Sequence, residues 1–185
     1  LHGTGAMLGE KALKQAGFTN FTMVKEQAVA DPEFSTVVHP NPEFPEAFDL
    51  AIKLGKKADA DLLIAVDPDA DRLGVAVRQP DGEYQLLTGN QIAALMLNYI
   101  LKARKQAGTL PENAAAVKSI VSSEFATAIA DHYQVKMINV LTGFKFIAEQ
   151  IKLFEETGSQ TFMFGFEESN GYLIRPFVGE KDAIP

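Results

Sequence analysis

The sequence predicts an α/β protein: two consecutive α/β units of the three-layer type, with mixed, mostly parallel sheets. Three observations carry this reading. Segments with the 3.6-residue period of amphipathic helices alternate with short β-rich or continuously apolar runs. The run "LLIAV" at 62–66 lacks polar alternation, as a strand covered on both faces does. The alternation also occurs twice, joining near residues 82–88, so one unit is expected over 1–84 and a second over 85–185.

Taken in order, "AMLGEKALKQAG" predicts a short helix stopped by Gly17. "FTNFTMVK", rich in Phe, Thr and Val, predicts a strand. Residues 26–45 contain Pro32, Pro40, Pro42 and Pro45 and no helical period, so they form a long loop, either functional or wrapped over the surface. "PEAFDLAIKLGKKADA" sets Ala47, Leu50, Ala51 and Leu54 on one helical face. "LLIAV" and "LGVAV" are strands flanking an acidic turn, and "QPDGE" is a reverse turn.

In the second unit "TGNQIAALMLNYILKARKQAG" predicts a helix with Ile92, Leu95, Met96 and Tyr99 inward and Gly108 at its end. "AAAVKSIVSS" is a strand, and Ser122 or Ser123 is positioned to cap the helix "EFATAIADHY". "VKMINV" is a strand and "FKFIAEQIKLFEETG" a helix closed by Gly158. "QTFMFGFEES" and "YLIRPF" flank Asn170-Gly171, a hairpin signal.

Of the 185 residues 46% are apolar and 22% charged, enough apolar material for real cores. Net charge is −7 without any basic run, which argues against nucleic acid and anionic membrane as partners. The absence of cysteine excludes disulfides, zinc-thiolate sites and thiol catalysis. No membrane-spanning stretch or signal peptide is visible, so a cytoplasmic protein is expected. Both ends, "LHGTG" and "KDAIP", read as cut from something longer.

The acidic turn "DPDADR" carries the chemistry. Residues two apart in extended chain point to the same side, so Asp67, Asp69 and Asp71 can converge. At about 4 Å and an effective dielectric near 20 each pair repels by about 4 kcal/mol, on the order of 12 kcal/mol for three pairs. The groups must splay into water, take up protons or surround a cation. A hard divalent ion such as Mg²⁺ suits an all-oxygen set. A solvated acidic turn is the plain alternative, but this one ends an apolar strand, where open α/β sheets bind ligands. An EF-hand is excluded, because Arg72 and Arg78 stand where that loop needs Gly and Glu. A phosphatase with Asp67 as nucleophile stays open, although it leaves the third Asp and Arg72 unexplained. A guanidinium beside a metal suits phosphoryl transfer, whose charge spreads over several oxygens.

The other motifs are weaker alone. "GTGAMLG" lacks the third glycine of the dinucleotide fingerprint, so a tight turn at a helix start is the better reading, with amides that could face an anion. In "FGFEESNGYLI", Glu167 and Ser169 share a face and could meet adjacent sugar hydroxyls; alone, the segment reads equally as a polar hairpin tip. "LTGFKFI" puts Lys145 in a helix's first turn, against the dipole, which hints at an anion. Lys181 lies in a polar loop, His132 reads as structural, and His2 borders the glycine turn.

Together these segments resemble the α-D-phosphohexomutases, in particular their phosphoglucomutase branch, over essentially the whole chain. "LHGTG" is similar to the segment opening that family's second domain, "DPDADRLGVAV" to its metal-binding loop, and "LTGFKFI" with "GFEESNGYL" to third-domain signatures. "EKDAI" is similar to the stretch that follows. The resemblance implies an enzyme moving phosphate between the 1- and 6-positions of a hexose, with leaning toward glucose, through a hexose 1,6-bisphosphate and with Mg²⁺. It implies Asp67, Asp69 and Asp71 as metal ligands, Arg72 beside the transferring phosphoryl group, and Glu167 and Ser169 on ring hydroxyls. Gly143 and Lys145 would lie near the substrate, and Lys181 would be the general acid/base. It also implies that the phosphorylated serine and the distal phosphate-anchoring loop belong to first and fourth domains not represented in these residues, so the chain alone is expected to be inactive. Pro68 and Ala70 replace the family's loop glycines. A non-catalytic module binding sugar phosphate is the alternative outside enzymology.

Overall fold

The computed structural model describes residues 1–184. It divides into two compact units, Leu1–Leu87 together with Ile184, and Thr88–Ala183. Among the described residues no helix is long and apolar enough to cross a membrane.

The first unit contains α1 (Gly5–Gln15), α2 (Asp49–Ala58), β1 (Leu62–Val66), β2 (Leu73–Arg78) and β3 (Tyr84–Leu86). Helix α1 stops where the sequence places its glycine. Gly17 takes φ +87°, its N–H reaches Lys14 O (3.1 Å), and Phe18 N–H reaches Leu13 O (2.9 Å), the paired bonds of a Schellman end. In α2, Asp49 opens the first turn and Lys56 and Lys57 close the last, as the helix dipole favours. Its sheet, in the order β1-β2-β3, is antiparallel, with Val66 opposite Leu73. Ala47, Phe48, Leu63 and Ala76 form the core.

The expected strand at 18–25 is not one: residues 18–24 are irregular and Lys25–Gln27 form a single 3₁₀ turn. A strand needs a neighbouring edge for its N–H and C=O groups, and this segment has no partner strand among the described residues. The first sheet is therefore antiparallel, and the mixed, mostly parallel arrangement belongs to the second unit alone.

That unit comprises α3 (Gly89–Gln106), β4 (Ala114–Ser119), α4 (Phe125–His132), β5 (Lys136–Val140), α5 (Phe144–Thr157), β6 (Thr161–Phe166) and β7 (Tyr172–Leu173). The sheet order is β5-β4-β6-β7, with β4 parallel to β5 and β6, and β7 antiparallel. Every residue of central β4 is buried, as a strand covered on both faces requires. Val117, Ile147, Ile151, Phe154, Phe162 and Leu173 lead its core. Because β4, β5 and β6 run parallel, the segments 120–124, 141–143 and 167–171 all leave from the same sheet edge.

Three local expectations are corrected. Leu95 and Tyr99 of α3 are 61% and 73% exposed; the buried stripe is Ile92, Ala93, Leu97 and Leu101. The buried face combines Ala93 and Ala94, small enough for close approach, with Ile92, Leu97 and Leu101, and leaves Leu95 and Tyr99 outward. Neither serine is the N-cap residue of α4, which is Glu124 without a side-chain cap bond; Ser123 Oγ accepts instead from Phe125 N–H (3.2 Å). The hairpin does not turn on Asn170-Gly171 alone. Glu167 N–H bonds Gly171 O (2.9 Å), enclosing residues 168–170 with Asn170 at φ +63°.

Phe48 is fully buried in the smaller core. Phe48→Ala is expected to destabilise the first unit by about 3–5 kcal/mol, measured as a lowered urea midpoint for exchange protection of the β1 and β2 amides.

Candidate functional site

In the first unit the loop 67–72 joins β1 to β2, and Asp67 is the first residue off β1. Its Oδ1 accepts from the N–H groups of Asp71 and Arg72, both at 3.0 Å, and its carbonyl accepts from Ala70 N–H (3.1 Å). The loop winds around this one carboxylate. Asp69 and Asp71 are thereby brought back, and one oxygen from each of the three aspartates lies within 4.8 Å of the others. An all-carboxylate set of this span fits a hard divalent cation such as Mg²⁺.

The electrostatics agree with the sequence argument. Asp67 is 7% exposed. Burial pushes its carboxyl up to about 7; the bond from Arg72 N–H pulls it down, and the neighbouring Asp71 and Asp69 push it further up. Arg72 Nε sits 3.7 Å from Asp67 Oδ2 and 3.8 Å from Asp71 Oδ1, and is buried without a hydrogen-bond acceptor among the described residues. Its Nη1 donates to Glu43 Oε1 (3.1 Å). Glu43 was not among the sequence candidates; it arrives from the proline-rich segment 26–45.

The departures at 68 and 70 resolve locally. Pro68 keeps the φ a proline can adopt, and Ala70 takes the positive φ itself, at +60°. The turn "GTG" buttresses the loop from beneath. Thr4 N–H and Oγ1 both reach Pro68 O (2.8 and 3.3 Å), so that amide serves the loop and not an anion. At Gly3 a Cβ would lie 1.9 Å from Pro68 O, which only glycine avoids. His2 is buried in a structural role, between Val29 O (3.2 Å) and Thr36 Oγ1 (2.6 Å).

In the second unit the parallel sheet assembles the other candidates at its carboxyl edge. Glu167 is 5% exposed, and its Oε1 accepts from Gly143 N–H (2.7 Å) at the start of α5. Gly143 has φ +122° and ψ +120°, outside what a residue with a Cβ readily adopts. Lys145 is exposed on the first turn of α5, its Nζ 4.9 Å from the Phe146 ring centre. Ser169 is half-buried in the hairpin loop. The chain after β7 folds back: Asp182 N–H bonds Tyr172 O (2.8 Å), and the Lys181 stem lies over Gly171, where a Cβ would meet Lys181 Cδ at 2.8 Å. Lys181 and the hairpin are thus brought together. His132 is exposed on α4, edge-on to Tyr133. The candidates also omitted a buried group at the end of β4: Lys118, Ser119 and Ser122. Its signal was a polar tail, "KS…S", on an otherwise apolar strand.

Residues 1–82 match the phosphoglucomutase/phosphomannomutase family, alpha/beta/alpha domain II, and residues 88–185 match domain III of the same family. The chain belongs to the phosphoglucomutase/phosphomannomutase family. It is 45% identical over 184 residues to phosphoglucomutase of Staphylococcus aureus strain N315, covering 100% of this chain and 32% of that protein. The chain thus spans about a third of the length of the curated relatives it matches. Solved structures share the fold. A putative phosphomannomutase from Thermus thermophilus superposes with TM-score 0.64 at 23% identity, over 85% of this chain and 32% of that one. A phosphoglucomutase/phosphomannomutase family protein from Burkholderia thailandensis gives TM-score 0.66 at 21% identity, over 85% and 31%. The acidic loop 67–72 lies within the residues that match domain II, and the hairpin loop 167–171 within those that match domain III.

Two outcomes are expected. The folded chain keeps the Asp67 proton up to about pH 7, whereas the unfolded chain releases it near the ordinary 3.8. Between those values the native state binds the extra proton, so metal-free stability falls as pH rises and the loss is complete above about 7. Thermal melts from pH 4.5 to 8 should show this slope, and Asp67→Asn should flatten it. Ala70→Gly should relieve the positive φ and stabilise the chain by on the order of 1 kcal/mol, read from the urea midpoint.

Proposed function

We propose that this chain supplies the metal-binding and sugar-recognition parts of a phosphohexomutase that interconverts hexose 1-phosphate and hexose 6-phosphate, with glucose as the sugar. The convergence of Asp67, Asp69 and Asp71 beside Arg72 carries this reading. The three aspartates would hold Mg²⁺, which when bound neutralises their mutual repulsion and draws charge from phosphoryl oxygens. Arg72, fixed from behind by Glu43, turns a guanidinium toward the same group and stabilises the charge that spreads over its oxygens during transfer.

Glu167 commits one oxygen to Gly143 N–H, and its second is available to a ring hydroxyl. Ser169 offers a hydroxyl two residues along, and Gly143 and Lys145 line the approach. Lys181 serves as general base for the attacking hydroxyl. It takes the proton as the new O–P bond forms and the bond to the phosphorylated serine breaks, and in the reverse sense acts as acid. That serine and the distal phosphate anchor are assigned to the first and fourth domains of the parent protein, and the intermediate to a hexose 1,6-bisphosphate.

A second reading, a Mg²⁺-dependent phosphatase or phosphotransferase with Asp67 as nucleophile, is disfavoured by geometry. Asp67 Oδ1 already accepts two backbone N–H groups in a buried position, which weakens it as an attacking oxygen. A binding module without catalysis gives no reason for Arg72 beside the acids.

The full-length parent protein tests all three. Mg²⁺-dependent interconversion of glucose 1- and 6-phosphate is expected, with the phosphoryl group on a serine and kcat lowered at least a hundredfold by Asp69→Asn, since one such electrostatic contact supplies about 10²–10³. An aspartyl phosphate on Asp67 would overturn the mutase reading. Sugar-phosphate binding without turnover would favour the module.

A further inference from the structure

The hairpin loop holds a second carboxylate with no part in the mechanism above. Adjacent side chains leave an extended segment on opposite sides. Glu167 reaches toward α5, and Glu168 reaches the other way, to the end of β4. Its Oε2 accepts from Ser119 Oγ at 2.8 Å and from Ser122 Oγ at 3.4 Å. Ser119 is fully buried, Ser122 is 3% exposed, and their hydroxyl oxygens are 2.7 Å apart. Two hydroxyl protons therefore serve three close oxygen contacts, and a carboxylate, which only accepts, sets their direction.

The serines are themselves held. Ser122 N–H closes a turn onto Ser119 O (3.0 Å). Lys118, fully buried in β4, donates from Nζ to Ser122 O (3.0 Å) and to Glu124 Oε1 (2.9 Å). An ammonium inside a sheet is costly unless it is bonded, and here its bonds fix the turn that presents both hydroxyls. On the loop's backbone side stands Gly89 at the start of α3. A Cβ there would lie 2.0 Å from Glu168 O and 2.7 Å from Asn170 Oδ1, and Tyr172 Oη donates to Gly89 O (3.1 Å). The loop is caught between this wall and the Glu168–serine bonds, with Ser169 at its apex.

We propose that Glu168 is a positioning residue: anchored on Ser119 and Ser122, whose turn Lys118 braces, it fixes where the hairpin presents Ser169 and the second oxygen of Glu167 to a sugar's hydroxyls. This rests on the mutase reading above. Glu168 touches no substrate. Its loss frees the loop, so the substrate must order it on binding, and KM bears the change.

The test uses the full-length parent protein. Glu168→Ala should raise KM for glucose 1-phosphate about ten- to hundredfold, the range corresponding to loss of a hydrogen bond to a charged group, with kcat within about threefold. Ser119→Ala should act in the same direction, and adding it to Glu168→Ala should worsen KM little, because the two groups act as one unit. Glu168→Gln keeps an acceptor for Ser119 and should recover most of the loss. An unchanged KM with only a lowered melting temperature overturns the proposal, as do strictly additive effects or a Gln variant as poor as Ala.

Hydrogen exchange in the 185-residue chain separates the two layers. Glu168→Ala and Glu168→Gln should differ about tenfold or more in amide exchange over 167–171, with β4 unchanged. Equal rates overturn the clamp. A parent without mutase activity sinks the functional reading, and the exchange result then decides the clamp alone.

Discussion

Three carboxylates held within 4.8 Å of one another at the end of a strand are the constraint on which the first unit turns. Their repulsion, several kcal/mol per pair at this range, must be answered locally. The answer is a loop wound on Asp67, whose oxygen takes two backbone N–H groups. Arg72 brings a compensating charge, and Glu43 keeps that charge oriented. Burial of Asp67, with the neighbouring Asp71 and Asp69 adding to it, appears as the raised affinity of Asp67 for a proton. A divalent cation would be stabilised by the same field, because proton and metal compete for one oxygen set.

The second unit meets a different demand with different means. Under the proposed reading it would recognise hydroxyls, which needs few charges but close placement, and its polar groups are buried and mutually bonded. Parallel strands deliver three loops to one edge. Glu167 ties the hairpin to the start of α5, Glu168 ties it to the end of β4, and Lys118 braces the turn beneath. The network puts a buried ammonium in β4, a strand otherwise made of alanine, valine and serine.

Local rules accounted for most of the elements. Helix ends followed the glycines at 17, 108 and 158, because these signals act through bonds within a few residues. They failed where an element depends on a distant partner. Residues 18–24 have strand composition but no partner strand among the described residues, and the inner face of α3 centres on Ala93, Leu97 and Leu101 rather than on Leu95 and Tyr99, a choice set by packing against distant elements. The acidic loop was legible as three aspartates at alternate positions after an apolar strand, although the turn wound on Asp67, not extended alternation, brings them together. Glu43, Lys118 and Ser119 were not, since each matters only through a partner that is remote in the chain or set by the fold of its loop.

The sequence by itself determined the two-unit α/β order, the family, the acid cluster and the Glu-x-Ser hairpin: like charges two residues apart and turn residues at strand ends speak through local geometry. Only the tertiary structure decided which carboxylate is buried, that Ala70 takes the positive φ, that Glu43 secures Arg72, and that the two neighbouring glutamates of the hairpin face opposite anchors. Burial and long-range hydrogen bonds are properties of packing, and packing brings together residues that no spacing rule connects.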